Sequence, residues 1–159
     1  MGVAWLFHPR LMYEEPLMRA YLDIETTLDQ RISVIGIYRA DQGTIQLIGG
    51  GINDVSLYDA LAGVQTLVTF NGTGFDIPVI RRRMRVNLLD SYTHSDLMYV
   101  CRKRGLKGGL KHVETMVGIT RATTGLSGFD APHMWQRYED NYDQAALDLL
   151  LHYNELMYP

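Results

Sequence analysis

The chain has 159 residues, of which 47% are apolar and 21% charged, with a formal net charge of -3 and a single cysteine, Cys101. That is one domain's length, expected to bury about 70% of the surface an unfolded chain exposes, so a core can form without staples. A lone cysteine excludes a disulfide framework and any multi-thiolate zinc or iron-sulfur centre, and it points to a reducing, cytoplasmic setting.

At the start, MGVAWLFHPRLMYEEP carries Arg10 and the pair Glu14-Glu15, which makes a poor signal peptide. No apolar run nears the roughly 20 residues of a membrane span, so no membrane partner is expected. Ala20 to Thr26 reads as a buried strand and Arg31 to Tyr38 as a second, joined by a turn through Leu28-Asp29-Gln30. Asp41-Gln42-Gly43 is a hairpin signal before a third strand, Thr44 to Ile48. After Gly49-Gly50-Gly51, Asn53 or Asp54 caps a short helix reaching Leu61. Gln65 to Phe70, rich in Val and Thr, is a fourth strand. The turn Asn71-Gly72-Thr73-Gly74 leads into a helix from about Phe75 to Met84, with Pro78 tolerated in its first turn. The remainder is expected to be helical over roughly Ser95 to Arg104, Gly109 to Val117, Ala131 to Glu139 and Tyr142 to Met157. This order predicts an α/β fold in one domain, residues 1–159 with its core at about 20–157. A mixed sheet, an antiparallel three-strand meander followed by βα units, is flanked by helices.

Charge is unevenly distributed. Arg81, Arg82, Arg83, Arg85, Arg102, Lys103, Arg104, Lys107 and Lys111 fall in one stretch whose only acids are Asp90 and Asp96. An acidic protein with one basic stretch suits binding of a phosphate backbone, and a solvated helix face satisfies the same pattern. On one helix, at 100 degrees per residue, Arg81, Arg82, Arg83 and Arg85 cannot all face the same ligand.

Asp23 and Glu25 are two apart on a strand, so both side chains leave one face while Leu22 and Ile24 leave the other. Two carboxylates converging on a core strand repel each other and lose hydration. A hard divalent cation removes that conflict, and so does a strand end at which they meet water, Lys or Arg. Asp76 follows the fourth strand in Phe70-Asn71-Gly72-Thr73-Gly74-Phe75-Asp76-Ile77-Pro78 and falls in the first turn of a helix, where a carboxylate also complements the helix dipole. If the first and fourth strands are adjacent and parallel, Asp76 reaches the same end of the sheet as Asp23 and Glu25.

Leu22-Asp23-Ile24-Glu25-Thr26-Thr27, the run from Phe70 to Pro78, and Tyr153-Asn154 resemble the three exonuclease motifs of the DEDD 3'-5' exonucleases, members of the ribonuclease H-like superfamily. The resemblance is greatest to the YprB-like branch, related to the proofreading domains of family B DNA polymerases. His94-Ser95-Asp96-Leu97, Lys107-Gly108-Gly109-Leu110-Lys111, Val113-Glu114, Gly118-Ile119 and Trp135-Gln136-Arg137-Tyr138 fit that branch as well. The resemblance implies a ribonuclease H-like fold and a two-metal phosphodiesterase acting on the 3' ends of single-stranded DNA or RNA. It implies that Asp23, Glu25 and Asp76 hold two Mg2+ or Mn2+ ions. Tyr153 orients the attacking water, and Thr26, Asn71, Gly72 and Phe75 lie beside the terminal nucleotides. Read from the residues alone, Phe75 also suits helix-to-sheet packing, Asn71 a turn, and Tyr153 a ring packed on the sheet.

In that family the last motif places Tyr four residues, or His five residues, ahead of a fourth metal-binding Asp. From Tyr153 and His152 both spacings reach Met157, whose thioether is a poor partner for a hard cation. Around a helix, Glu155 lies about 160 degrees and Asp148 about 180 degrees from that position, so neither replaces it easily. Three readings follow: an exonuclease that recruits another carboxylate, with Asp96 and Glu114 as candidates; a catalytically impaired nucleic-acid-binding module; or a truncated or altered end of a once-complete domain. A ribonuclease H-like endonuclease, such as a resolvase, is a further alternative. His94 and His112 lack partners at zinc-site spacing and read as structural or surface residues. Trp135 and Tyr138 are expected in the core, and Cys101 on an apolar helix face.

Overall fold

The computed structural model describes residues 18–119 and 125–155. Arg19–Thr26 (β1), Ile32–Arg39 (β2), Gly43–Ile48 (β3), Thr66–Thr69 (β4) and Thr93–Asp96 (β5) form one sheet of order β3-β2-β1-β4-β5. β1, β2 and β3 pair antiparallel as a meander, while β4 runs parallel to β1 and β5 parallel to β4. Among the described residues there are six α-helices: α1 (Asp54–Ala60), α2 (Asp76–Met84), α3 (Leu97–Lys103), α4 (Leu110–Met116), α5 (Ala131–Asn141) and α6 (Gln144–Glu155). The α/β fold with a mixed sheet is therefore the one the element order predicts.

Each face of the sheet has its own apolar cluster, because strand side chains alternate. On one face Leu22, Ile24, Ile35 and Ile37 pack with Leu57 of α1 and with Ile77 and Ile80 of α2. On the other, Val34 packs with Met134 and Trp135 of α5 and with Leu147 and Leu150 of α6. Trp135 and Tyr138 do lie here, with ring centroids 5.5 Å apart. Asp23 and Glu25 are opposite in phase to Leu22 and Ile24, so they face the α5 and α6 side.

Two boundaries differ from expectation for readable reasons. Ser95 and Asp96 end a strand instead of opening a helix. Thr93-His94-Ser95-Asp96 has no apolar alternation, and its pairing with β4, reinforced by Thr66 Oγ1 and Thr93 Oγ1 at 2.7 Å, holds it extended. Tyr142 does not begin the last helix. It takes a left-handed conformation, φ 55°, that ends α5, and Asp143 then caps α6 by accepting from the Ala146 N–H at 3.1 Å. Met157 lies outside the described residues. Among the described residues, no helix is long and apolar enough to cross a membrane.

Candidate active site at the end of the first strand

β1 outruns its parallel neighbour. Its pairing with β4 ends at Tyr21 and Val68, leaving Leu22 to Thr26 extended beyond it. The Ile24 N–H, with β4 already ended, donates instead to Asp76 Oδ1 at 3.0 Å. The adjacency of β1 and β4 thus brings the first turn of α2 to the strand that carries Asp23 and Glu25. A bulge in the β1–β2 pairing between Glu25 and Thr26 adds a local twist at this same end.

The loop from Asn71 to Gly74 makes the reversal. Asn71 is in the left-handed region at φ 65°, which Asn tolerates better than most side chains, and its carbonyl accepts from Gly74 N and Phe75 N at 3.0 and 3.1 Å. Gly72 is buried against Thr69, where a Cβ would stand 2.2 Å from Thr69 Oγ1, so only glycine fits. Asp96, at the end of β5, clamps the loop from the other side. Its Oδ1 accepts from Asn71 N (2.8 Å) and Met98 N (3.0 Å), and its Oδ2 from Thr73 N (3.0 Å). Burial works to raise the Asp96 carboxyl, but these N–H groups outweigh it and hold it below the usual carboxylate range.

A cavity of about 230 Å³ opens at this end of the sheet. Asp23, Glu25, Thr26, Asn71, Phe75, Asp76 and Tyr153 all line it, together with Gly128 and Pro132 at the start of α5. Of the site residues that the family resemblance implies, Gly72 is the one absent from this lining; it shapes the turn behind. The Phe75 ring is 39% exposed on the wall, and Tyr153 is 5% exposed. The Tyr153 hydroxyl sits near Gly128, 3.9 Å from where a Cβ on that glycine would stand, and Lys111 Nζ is 5.3 Å from the ring centroid. The ring of Tyr153 is thus packed while its edge borders the cavity. Asp96, committed to the loop, and Glu114, on α4, do not line it.

Electrostatics set Glu25 and Asp76 apart from ordinary surface groups. Burial pushes the Glu25 carboxyl up to about 8; the nearby Asn154 amide works against that and the charge of Asp76 adds to it. Burial likewise pushes Asp76 up to about 6, opposed by the Ile24 N–H and reinforced by the charge of Asp96. Neither Glu25 nor Asp76 forms an ion pair with Lys or Arg among the described residues. Two buried carboxyls that disfavour each other's ionisation, with Asp23 beside them, form an oxygen donor set of the kind that hard cations take. Yet among the described residues no three His, Cys, Asp or Glu side chains stand already gathered into a metal-holding group. Asp76 Oδ1 is turned to Ile24, and Asp23 Oδ2 accepts from Asn154 Nδ2 at 3.2 Å. The donors fit Mg2+ or Mn2+ in kind, and an ion has to draw them inward.

Asn154 is the residue whose part the sequence did not disclose. It is fully buried on α6, and Gln46 Nε2 donates to its Oδ1 at 3.2 Å, which fixes its amide so that Nδ2 faces Asp23. Its position beside Tyr153 drew attention to it, but nothing in the sequence joins β3, α6 and β1 into one chain of hydrogen bonds. Gly128 and Pro132 are equally silent, because their place on the cavity wall depends on how α5 docks.

The model of the RNase_H superfamily matches residues 20–156. No curated protein sequence matches the chain. Among solved structures, a family B DNA polymerase from the hyperthermophilic archaeon Pyrobaculum calidifontis superposes with a TM-score of 0.64 at 16% identity. That match covers 89% of this chain and 23% of the polymerase, so the chain spans about a quarter of that protein's length. The EXD2 exonuclease domain, from a crystal soaked in Mg and GMP, matches with a TM-score of 0.39 at 19% identity, over 86% of this chain and 74% of that one.

Proposed function

The chain belongs to the RNase H superfamily, and from that premise we propose that it is a divalent-metal-dependent 3'-5' exonuclease acting on single-stranded ends of DNA or RNA. The observation that carries this reading is that Asp23 and Glu25, together with Asp76 from a distant part of the chain, line one cavity in which the carboxyls of Glu25 and Asp76 are raised by burial. These three residues are the ones to hold Mg2+ or Mn2+. When bound, two such ions supply an activated water and charge stabilisation for the leaving 3' oxygen.

The chain's own groups do the rest. The Ile24 N–H holds one oxygen of Asp76, and the Asn154 amide holds one of Asp23. On this reading the Tyr153 hydroxyl, near Gly128 in the cavity lining, holds the attacking water. The half-exposed ring of Phe75 offers a face on which a terminal base stacks without regard to its identity, and Asn71 and Thr26 border the same space. At about 230 Å³ the cavity is smaller than a typical small-molecule site, which suits one terminal unit at a time.

The test is digestion of a 5'-labelled oligonucleotide with Mn2+ and with Mg2+. A ladder of progressively shorter products, abolished by chelation and reduced about a hundredfold or more in Asp23→Ala, supports the reading. A circular single strand should survive. No ladder from the wild type with either ion removes the enzyme, and cutting of the circle replaces an exonuclease with an endonuclease. A second reading rests on Met157, which stands where a fourth carboxylate is expected: a module that binds a strand end and turns it over slowly, if at all.

A further inference from the structure

On the far side of the α2 first turn lies a second and larger hollow, about 870 Å³, which no step above uses. Its floor is a stripe of α2. Ile77 and Arg81 of α2 and Arg85, its C-cap, recur at intervals of four, with Pro78 and Arg82 beside them; Asn87 and Leu89 of the following turn and His94 of β5 complete the lining. Thr73, in the loop that leads to Asp76, forms the end nearest the candidate active site. The hollow and the cavity therefore share one loop and one helix turn.

The helix divides its arginines by function. Arg83 is turned away, donating to the carbonyls of Asp29 and Gln30 at 2.7 and 2.8 Å, so it fastens α2 to the turn between β1 and β2. Arg82 lends one nitrogen to Gln30 Oε1 at 2.9 Å. Arg81 and Arg85 have no side-chain hydrogen bond or ion pair among the described residues, and both are exposed. One acid, Asp90, also lines the hollow, and it accepts from Asn87 Nδ2 at 2.6 Å. Three guanidinium groups against one carboxylate leave the groove cationic. Pro78 and the half-exposed Leu89 add apolar surface to the lining.

We propose that this groove binds the phosphodiester backbone of a single strand, a few nucleotides upstream of the end that enters the cavity. The proposal rests on the nuclease reading for its ligand, and it deepens that reading by giving the enzyme a strand-length preference. Arg81 and Arg85 make the phosphate contacts, and Arg82 assists. A substrate of one nucleotide does not reach them, whereas a longer strand does.

The experiment uses the full chain and a fluorescent oligothymidylate of about twelve nucleotides, with binding read by anisotropy across a salt series in chelator. In the double variant Arg81→Gln/Arg85→Gln, binding at about 0.1 M salt should weaken about 25-fold, and the slope of log K against log salt should fall by about 1.4, two phosphate contacts on a single strand. Removing two charges outside the groove, in Arg102→Gln/Lys103→Gln, should change both far less. Hydrolysis of the p-nitrophenyl ester of thymidine 5'-monophosphate with Mn2+, which occupies the cavity alone, should be unchanged in the groove variant. Unaltered affinity and slope in the groove variant, or an equal loss in the outside variant, overturns the proposal. Release of the strand by low millimolar inorganic phosphate, beyond the effect of chloride at matched ionic strength, assigns the groove to free phosphate and overturns it too. If the wild type fails to hydrolyse the ester while oligonucleotide binding still depends on Arg81 and Arg85, the groove stands and the nuclease reading falls.

Discussion

Asn154 shows how a single buried amide shapes the candidate site. With Oδ1 held by Gln46 and Nδ2 on Asp23, it also opposes the rise of the Glu25 pKa. Replacing it by Leu should raise the Glu25 value further, seen as an upward shift in a carboxyl NMR titration, and should cost about 1–3 kcal/mol of stability because Asp23 and Gln46 lose a partner. Tyr153 admits a similarly direct trial. Tyr153→Phe keeps the packed ring and removes the hydroxyl, so if the hydroxyl holds water, turnover of a labelled strand should fall about 10- to 100-fold with the melting temperature unchanged. Unchanged turnover would reduce Tyr153 to a packing residue. At position 157, Met157→Asp should increase Mn2+-dependent turnover by about tenfold or more if the family pattern applies there. The pairing of Asp23 with Glu25 on one face was legible at this scale because a strand has period two, whereas the hydrogen bonds of Asn154 were not, since they join three elements far apart in the chain.

Among the elements, the decisive feature is that β1 and β4 are parallel neighbours and that β1 is the longer. The sequence displayed the strands, the glycine-rich turn and the acid after it. Their convergence depended on strand order, which a single sequence leaves open. β5 escaped notice because its four residues carry no apolar alternation and are extended by their ladder to β4. It supplies Asp96, the clamp of the 71–74 loop. Asp96→Ala strands the N–H groups of Asn71, Thr73 and Met98. It should cost about 2–3 kcal/mol and speed hydrogen exchange at Asn71 and Thr73 while the amides of β2 stay protected. Equal acceleration throughout the sheet would mean that Asp96 supports the whole fold and not the loop in particular.

For the molecule as a whole, the candidate site makes stability depend on pH and on divalent ions together. In the metal-free folded chain Glu25 keeps its proton up to about pH 8, whereas its ordinary value is 4.5, and Asp76 keeps its proton up to about 6 against 3.8. Between those limits the folded state binds more protons than the unfolded one, so stability is complete at low pH and declines as pH rises through the folded values. Denaturation in chelator should therefore show a fall between about pH 4 and pH 8, on the order of a few kcal/mol, that Glu25→Gln largely removes. Mn2+ should restore stability most at the alkaline end, where the carboxylates are charged and an ion has most to neutralise. The measurement that bears most directly on the central claim is the anomalous difference density of a crystal soaked in Mn2+. The expected result is manganese in the cavity between β1 and the first turn of α2, with oxygens of Glu25 and Asp76 drawn onto it. Manganese bound elsewhere, with that cavity empty and the carboxyls unmoved at a pH above 8, would contradict it.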